Sequence, residues 1–186
     1  MEQDRQKLAE RLRIGDPETL DGLIEVYQHR LFRYLMSLTG NRPLSEDLFQ
    51  ETWIRVLERG HQYRPDWKFE IWLFSIARHL AIDFSRQKRG ASLDELMDPE
   101  EGTGFEPPAD APTPFDRTLA EEEATRMTRL LDQIPAVYRE VLTLRFREDL
   151  ALDEIAAVIR APLPTAKSRL YRGLESLRKL IEGGTA

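Results

Sequence analysis

One stretch divides this chain before any helix is considered. From Gly90 to Phe115 it reads GASLDELMDPEEGTGFEPPADAPTPF, with five of the chain's 11 prolines and few large apolar residues. Residues 91–125 carry eleven acids against a single base, Arg117. Proline removes backbone donors, like charges repel, and too little apolar surface is present to offset the entropy of ordering. Such a segment is expected to be an extended tether. A chain of 186 residues interrupted in this way is expected to form two small domains, 1–90 and 117–182, joined by a flexible acidic, Pro-rich linker at 91–116.

Both flanking parts read as helical, so the expected fold class is all-α. Asp16-Pro17-Glu18 supplies a cap, a first-turn proline and a first-turn acid. Leu20, Leu23, Ile24, Tyr27, Leu31, Tyr34, Leu35 and Leu38 then recur at three- and four-residue steps up to Gly40, the pattern of one apolar helix face. A second helix is expected to start near Pro43, with Ser45 as an alternative start. Leu48, Phe49, Thr52, Trp53, Val56 and Leu57 would line its buried side, and Gly60 would close it. His61 to Lys68 reads as a loop, and a third helix is expected from Phe69 to Lys88. Beyond the tether, a helix through Leu119, Met127, Leu130 and Leu131 is expected to end at Pro135. Further helices follow at 136–147, 151–159 and 164–181. The last two are separated by Arg160-Ala161-Pro162-Leu163, which makes a helix-turn-helix pattern. Leu170, Leu174, Leu177 and Ile181 are its expected buried stripe.

Several chemistries are excluded at once. With no cysteine there is no disulfide, thiol nucleophile or thiolate metal site. His29, His61 and His79 stand too far apart in sequence to suggest an all-histidine site, so no metal is expected. No apolar run is long enough to cross a membrane. Met1-Glu2-Gln3-Asp4-Arg5 lacks the apolar centre of a signal peptide. The expected location is cytoplasmic.

The net charge of −6 conceals two basic patches. The first follows a loop in which Tyr63, Arg64, Trp67, Lys68 and Phe69 mix aromatics with bases, and it continues through Arg78, Arg86, Lys88 and Arg89. Aromatic faces hold unstacked bases, and Lys and Arg hold phosphates. For Trp67 the alternative is loop packing; Trp72, between Ile71 and Leu73, reads as core. The second patch opens the last helix. Thr165, Lys167, Ser168, Arg169, Tyr171 and Arg172 precede or flank the apolar stripe, where a recognition helix meets base edges.

The second helix offers a different surface. Asp47 and Glu51 are four residues apart and share a face with Gln50. This face reads either as solvated surface or as a dock for a basic partner. No nucleophile, metal set or glycine-rich phosphate loop accompanies the two carboxylates, which argues against an acid–base pair.

Read in order, these segments resemble the extracytoplasmic-function (ECF) sigma factors of the sigma-70 family. The resemblance rests on Ser45-Glu46-Asp47-Leu48-Phe49-Gln50-Glu51-Thr52-Trp53, on Trp72-Leu73-Phe74-Ser75-Ile76-Ala77-Arg78, and on Ala81-Ile82-Asp83 with Arg86. In the second half it rests on Ile134-Pro135, Tyr138-Arg139-Glu140-Val141-Leu142, Leu152-Asp153-Glu154-Ile155-Ala156 and Lys167-Ser168-Arg169-Leu170. It covers nearly the whole chain outside the tether.

The resemblance implies a function. The first domain would be sigma region 2, with Asp47, Gln50 and Glu51 docking on the beta-prime clamp coiled coil of core RNA polymerase. Arg64, Trp67, Lys68, Arg78, His79, Arg86, Lys88 and Arg89 would open and hold the minus-ten element. The second domain would be sigma region 4, reading the minus-thirty-five element of promoter DNA and meeting the beta flap. The chain would direct transcription initiation with no catalytic residue, cofactor or small-molecule substrate of its own; the polymerase does the chemistry. An anti-sigma factor is the expected regulator. The family usually has a glycine near Arg160 and a serine cap before the recognition helix, both absent here. His79 stands where asparagine is common, which is expected either to shift base preference or to make it weakly pH-dependent. The rival reading is a stand-alone helix-turn-helix transcriptional regulator, which would need neither the acidic helix nor the aromatic–basic loop.

Overall fold

The structure is a computed structural model that describes residues 2–89, 127 and 129–183. The linker at 91–116 and the helix expected at Leu119 lie outside the described residues. The elements are α1 (Glu2–Arg13), α2 (Pro17–Thr39), α3 (Arg42–Arg59), a 3-10 turn (Gly60–Gln62), α4 (Phe69–Arg89), α5 (Ala136–Phe146), α6 (Leu152–Ile159) and α7 (Leu163–Gly183). Residues 129–132 are helical ahead of Pro135, and no strand occurs among the described residues.

Local chemistry sets the helix ends. The Asp16 carboxylate accepts from the Thr19 amide at 3.2 Å and Pro17 begins α2, needing no donor. Gly40 closes it at φ 59°, and its N–H donates to the Met36 carbonyl, a left-handed cap that glycine adopts without strain. For α3 the cap is Asn41, whose side-chain oxygen accepts from the Leu44 amide at 2.9 Å. Ser45 is therefore not a start. It is fully buried one turn inside, and its hydroxyl donates to the Asn41 carbonyl at 2.9 Å.

Helices α2, α3 and α4 pack together around Leu31, Tyr34, Leu35, Val56, Leu73 and Phe74, all fully buried. Leu57 departs from expectation. Val56 takes the inward position, and the next residue lies about 100° further round the helix, so Leu57 is 52% exposed. Helix α1 has no counterpart in the sequence reading. Its Leu8, Ala9 and Leu12 form a short apolar stripe laid over the 60–62 turn.

The second bundle packs α5 and α6 on α7. The inward residues of α7 are Ala166, Leu170 and Gly173. A Cβ at Gly173 would meet Leu142 at 3.1 Å, so the small residue brings α5 close. The apolar stripe consequently steps from Leu170 to Gly173 and not to Leu174. Leu174 and Ile181, expected inside, are 37% and 42% exposed. Between α6 and α7, Arg160 is left-handed at φ 50°. Its N–H and that of Ala161 both reach the Ala156 carbonyl.

The two bundles touch along α4 against α6 and α2 against α5. Polar pairs cross this boundary. Tyr34 Oη donates to Glu140 at 2.8 Å. Arg78 Nε donates to the same carboxylate oxygen at 2.8 Å, and Arg30 Nε donates to Glu148 at 2.7 Å.

Candidate nucleic-acid and partner interfaces

The loop between the 3-10 turn and α4 is anchored by aromatic rings. Tyr63 and Phe69 are 4% exposed, and their centroids lie 5.7 Å apart. Trp72 sits 5.4 Å from Tyr63 and 5.8 Å from Phe69, and Tyr27 packs against Phe69 at 5.3 Å with the rings tilted by 54°. Tyr63 Oη donates to the Trp67 carbonyl at 3.0 Å, which ties down the loop backbone. The aromatics of this stretch therefore divide. Tyr63, Phe69 and Trp72 hold the loop, while the Trp67 ring is 45% exposed. Arg64 beside it is largely exposed, 3.7 Å from Asp66.

The remaining bases of this patch differ in what they touch. Lys68 Nζ stands 2.8 Å from Glu154 of α6, and this hydrogen bond raises its pKa above the ordinary lysine value. Arg78 is turned to Glu140. His79 lies 3.3 Å from Asp83. The Nε of Arg86 is buried without a hydrogen-bond partner among the described residues. The side chains of Lys88 and Arg89 lie outside the described residues. A cleft of about 340 Å³ runs beside α4, lined among others by Arg55, Arg59, Trp72, His79, Asp83 and Arg160. It joins cations and an aromatic face next to His79. Arg64, Trp67 and Lys68 share one loop, while Arg78 and His79 lie on α4.

On α3, Asp47 and Gln50 are exposed and Glu51 half-buried. Glu51 pairs with Arg55 at 2.9 Å, and Arg55 also reaches Glu58 at 3.2 Å. The same helix face carries Ile54, 48% exposed, and Leu57. Asp47, Gln50, Ile54 and Leu57 follow one another at steps of three or four residues, so the surface is an acidic stripe running into an apolar one. The sequence reading did not single out Ile54. Its signal was an apolar residue in register with the acids.

On α7, Lys167, Ser168, Tyr171 and Arg172 are exposed, and Thr165 and Arg169 half-buried. Tyr171 is 69% exposed, and Arg172 reaches the Tyr138 hydroxyl at 3.5 Å. The amides of Thr165 and Ala166 bond to the Pro162 carbonyl at 2.9 and 3.2 Å, so backbone replaces the absent serine cap. Among the described residues no cluster of His, Cys, Asp or Glu could hold a metal ion, and no helix is long and apolar enough to cross a membrane.

Comparison with known proteins joins these surfaces. The family model for sigma-70 region 2 matches residues 23–91, and that for sigma-70 region 4 matches residues 124–177. The ECF RNA polymerase sigma factor SigW of Bacillus subtilis is 29% identical over 184 residues, covering 97% of this chain and 98% of that one. The ECF RNA polymerase sigma-E factor of Salmonella typhimurium LT2 is 30% identical over 186 residues, covering 95% and 94%. The fold is similar to CnrH in its complex with the cytosolic domain of CnrY (TM-score 0.68, 20% identity, 97% of each chain). It is also similar to RpoE of Bartonella quintana in complex with the anti-sigma factor NepR (TM-score 0.69, 20% identity, 87% and 96%). The chain belongs to the sigma-70 family and, within it, to the ECF RNA polymerase sigma factors.

Proposed function

We propose that this sigma factor binds core RNA polymerase through the α3 face and brings it to promoters with two separate readers. In this reading residues 1–90 engage the beta-prime clamp coiled coil through Asp47, Gln50 and Glu51, with Ile54 and Leu57 as the apolar centre of the contact. A desolvated apolar centre ringed by charge is how most protein interfaces concentrate their energy. Arg64, Trp67 and Lys68, with Arg78, His79, Arg86, Lys88 and Arg89, act on the minus-ten element. Trp67 offers a ring face to an unstacked base, and the cations meet phosphates.

Residues 117–182 read the minus-thirty-five element through Thr165, Lys167, Ser168, Arg169, Tyr171 and Arg172, and contact the beta flap. Residues 91–116 serve as the linker between the two readers. A protein inhibitor of the anti-sigma type is the proposed regulator.

The observation that carries this reading is the order of surfaces along one chain: an acid-and-apolar helix face, an aromatic–basic loop, then a recognition helix with an exposed basic start. A stand-alone repressor needs only the last. The test is assembly. Mixed with core polymerase, the chain is expected to co-migrate with it and to confer binding to a promoter fork carrying an unpaired minus-ten strand. Fork binding by the chain that core polymerase does not strengthen contradicts the reading.

A further inference from the structure

Trp67 is 45% exposed, yet the backbone around it is bonded on every side. The carbonyl before it, on Asp66, accepts from Arg5 of α1 at 3.3 Å. Its own carbonyl accepts from the Tyr63 hydroxyl at 3.0 Å, and its N–H donates to the Arg64 carbonyl at 3.4 Å. Both peptide groups that flank the Trp67 Cα are therefore held. Tyr63 and Arg64 belong to the loop itself. Arg5 comes from the start of the chain.

The sequence of α1 explains how Arg5 reaches this place. Arg5, Leu8, Ala9 and Leu12 follow at steps of three or four residues, so they share one helix face. Ala9 and Leu12 are buried, and the Leu12 carbonyl lies against Gly60, ahead of the loop. Seven residues of helix rise about 10 Å, which takes α1 from Gly60 to the Asp66 end of the loop. One rigid element thus bridges residues 60–66. Its C-terminal end is also tied by Arg11 to Asp16 at 2.8 Å. Its N-terminal end meets the loop through Arg5.

Both side chains that hold the loop are dependable donors. Arg5 is a half-buried cation in an otherwise apolar register. A guanidinium keeps its charge and presents its donors in a fixed plane. Its bond to a carbonyl is charge-assisted and so stronger than a neutral one. Burial pushes the Tyr63 hydroxyl pKa up, which keeps its proton in place. A loop that must order itself around a ligand loses about two- to tenfold in affinity per side chain fixed. A Trp67 backbone fixed beforehand avoids part of that loss.

We propose that Arg5 is a positioning residue for Trp67: from α1, and together with Tyr63, it fixes the loop backbone so that the Trp67 ring is set to stack on an unpaired DNA base. The stacking rests on the initiation reading above; the hold on the loop does not. Arg5 acts through the loop and not on a phosphate. That separates it from the other cations of this patch, whose loss would reduce the number of counterions released.

Two measurements on the full chain test this. The first is fluorine NMR of protein grown with fluorotryptophan, the Trp67 signal being the one that Trp67→Phe removes. In Arg5→Ala that signal is expected to move toward the position of free fluorotryptophan, while those of Trp53 and Trp72 stay in place. Arg5→Lys, which keeps a cationic donor, is expected to reverse part of the move. Tyr63→Phe is expected to move the same signal, and it keeps the test decisive if Arg5→Ala loses helical circular dichroism. The second is fork binding by the chain assembled with core polymerase. The fork comes from a start site defined by run-off transcription, intact or with an abasic site at each unpaired position in turn. Trp67→Ala is expected to weaken binding to the intact fork about tenfold, as for a lost base–aromatic stack. Arg5→Ala is expected to weaken it about threefold, with an unchanged salt slope. Neither is expected to weaken binding once the stacked base is removed. A Trp67 signal unmoved by both Arg5→Ala and Tyr63→Phe overturns the proposal. So does a loss in Arg5→Ala that is equal on intact and abasic forks, or a shallower salt slope, which would make Arg5 a phosphate contact. A signal that moves, beside fork binding indifferent to core polymerase, counts against the initiation reading and leaves the hold on the loop standing.

Discussion

The carbonyl of Leu12, at the end of α1, lies where a side chain on Gly60 would have to begin. The first helix therefore rests directly on the backbone of the turn that leads into the Trp67 loop. Arg5 adds a hydrogen bond to the Asp66 carbonyl at 3.3 Å. Gly60→Ala is expected to push α1 away and cost about 1–3 kcal/mol, the range for forcing a methyl into packed structure. Urea unfolding followed by Trp fluorescence would measure it. An unchanged midpoint would mean that α1 is not seated as described.

Arg160 has the opposite problem. At φ 50° a side chain is strained by about 1–2 kcal/mol, which glycine avoids at some entropic cost in the unfolded chain. Arg160→Gly is expected to stabilise the protein by about 0.5–1 kcal/mol. A thermal scan that shows destabilisation would mean the Arg160 side chain contributes more than its backbone strain costs.

Ile54 and Leu57 lie outside the core of α3 while Val56 between them lies within it. Replacing either exposed residue with serine is expected to change folding stability by less than about 0.5 kcal/mol. Affinity for core polymerase is expected to fall about tenfold, as for a residue at the centre of an interface. Competition against a labelled reference sigma factor would read the second quantity, and equal competition by Ile54→Ser would remove these residues from the interface.

Much of this was legible in the sequence because local chemistry decided it. Asp16, Pro17 and Gly40 mark α2 at both ends, and the apolar steps between them leave one buried face. What escaped depends on contacts between distant parts. Helix α1 carries only Leu8, Ala9 and Leu12 as an apolar stripe and is seated by the 60–62 turn. Leu57 and Leu174 fit an apolar pattern, yet Val56 and Gly173 take the inward places because of how close the neighbouring helix comes. Glu140 looked like one letter of a motif. Its burial between Tyr34 and Arg78 exists only once both bundles are present.

Lys167 is exposed near the start of α7, and a phosphate contact there is the simplest role for its cation. Lys167→Ala is expected to weaken promoter binding by the assembled enzyme across sequences. It should also lower the steepness of the salt dependence by about one unit. A salt titration would show it; a change in sequence preference with the same salt slope would assign Lys167 to a base edge instead.

Asp16 supplies a pH dependence with a definite sign. Its carboxyl is held below the usual carboxylate range, first by the hydrogen bond from Thr19 and further by Arg11. A lowered folded pKa means that the contribution is present above the unfolded value near 3.9 and is lost as pH falls through the folded one. Asn also caps helices but does not titrate there. Asp16→Asn is therefore expected to be less stable than the parent at pH 7, with the gap closing below about pH 4. Unfolding midpoints at pH 7 and pH 3 would test it, and a constant gap would contradict it.

If this chain makes core RNA polymerase start at particular promoters, new start sites must follow its addition. Run-off transcription with purified core polymerase on pooled genomic fragments, with and without the protein, tests it most directly. New discrete start sites are expected that appear only with the protein and weaken with Ile54→Ser. No new start sites, beside DNA binding indifferent to polymerase, would contradict it.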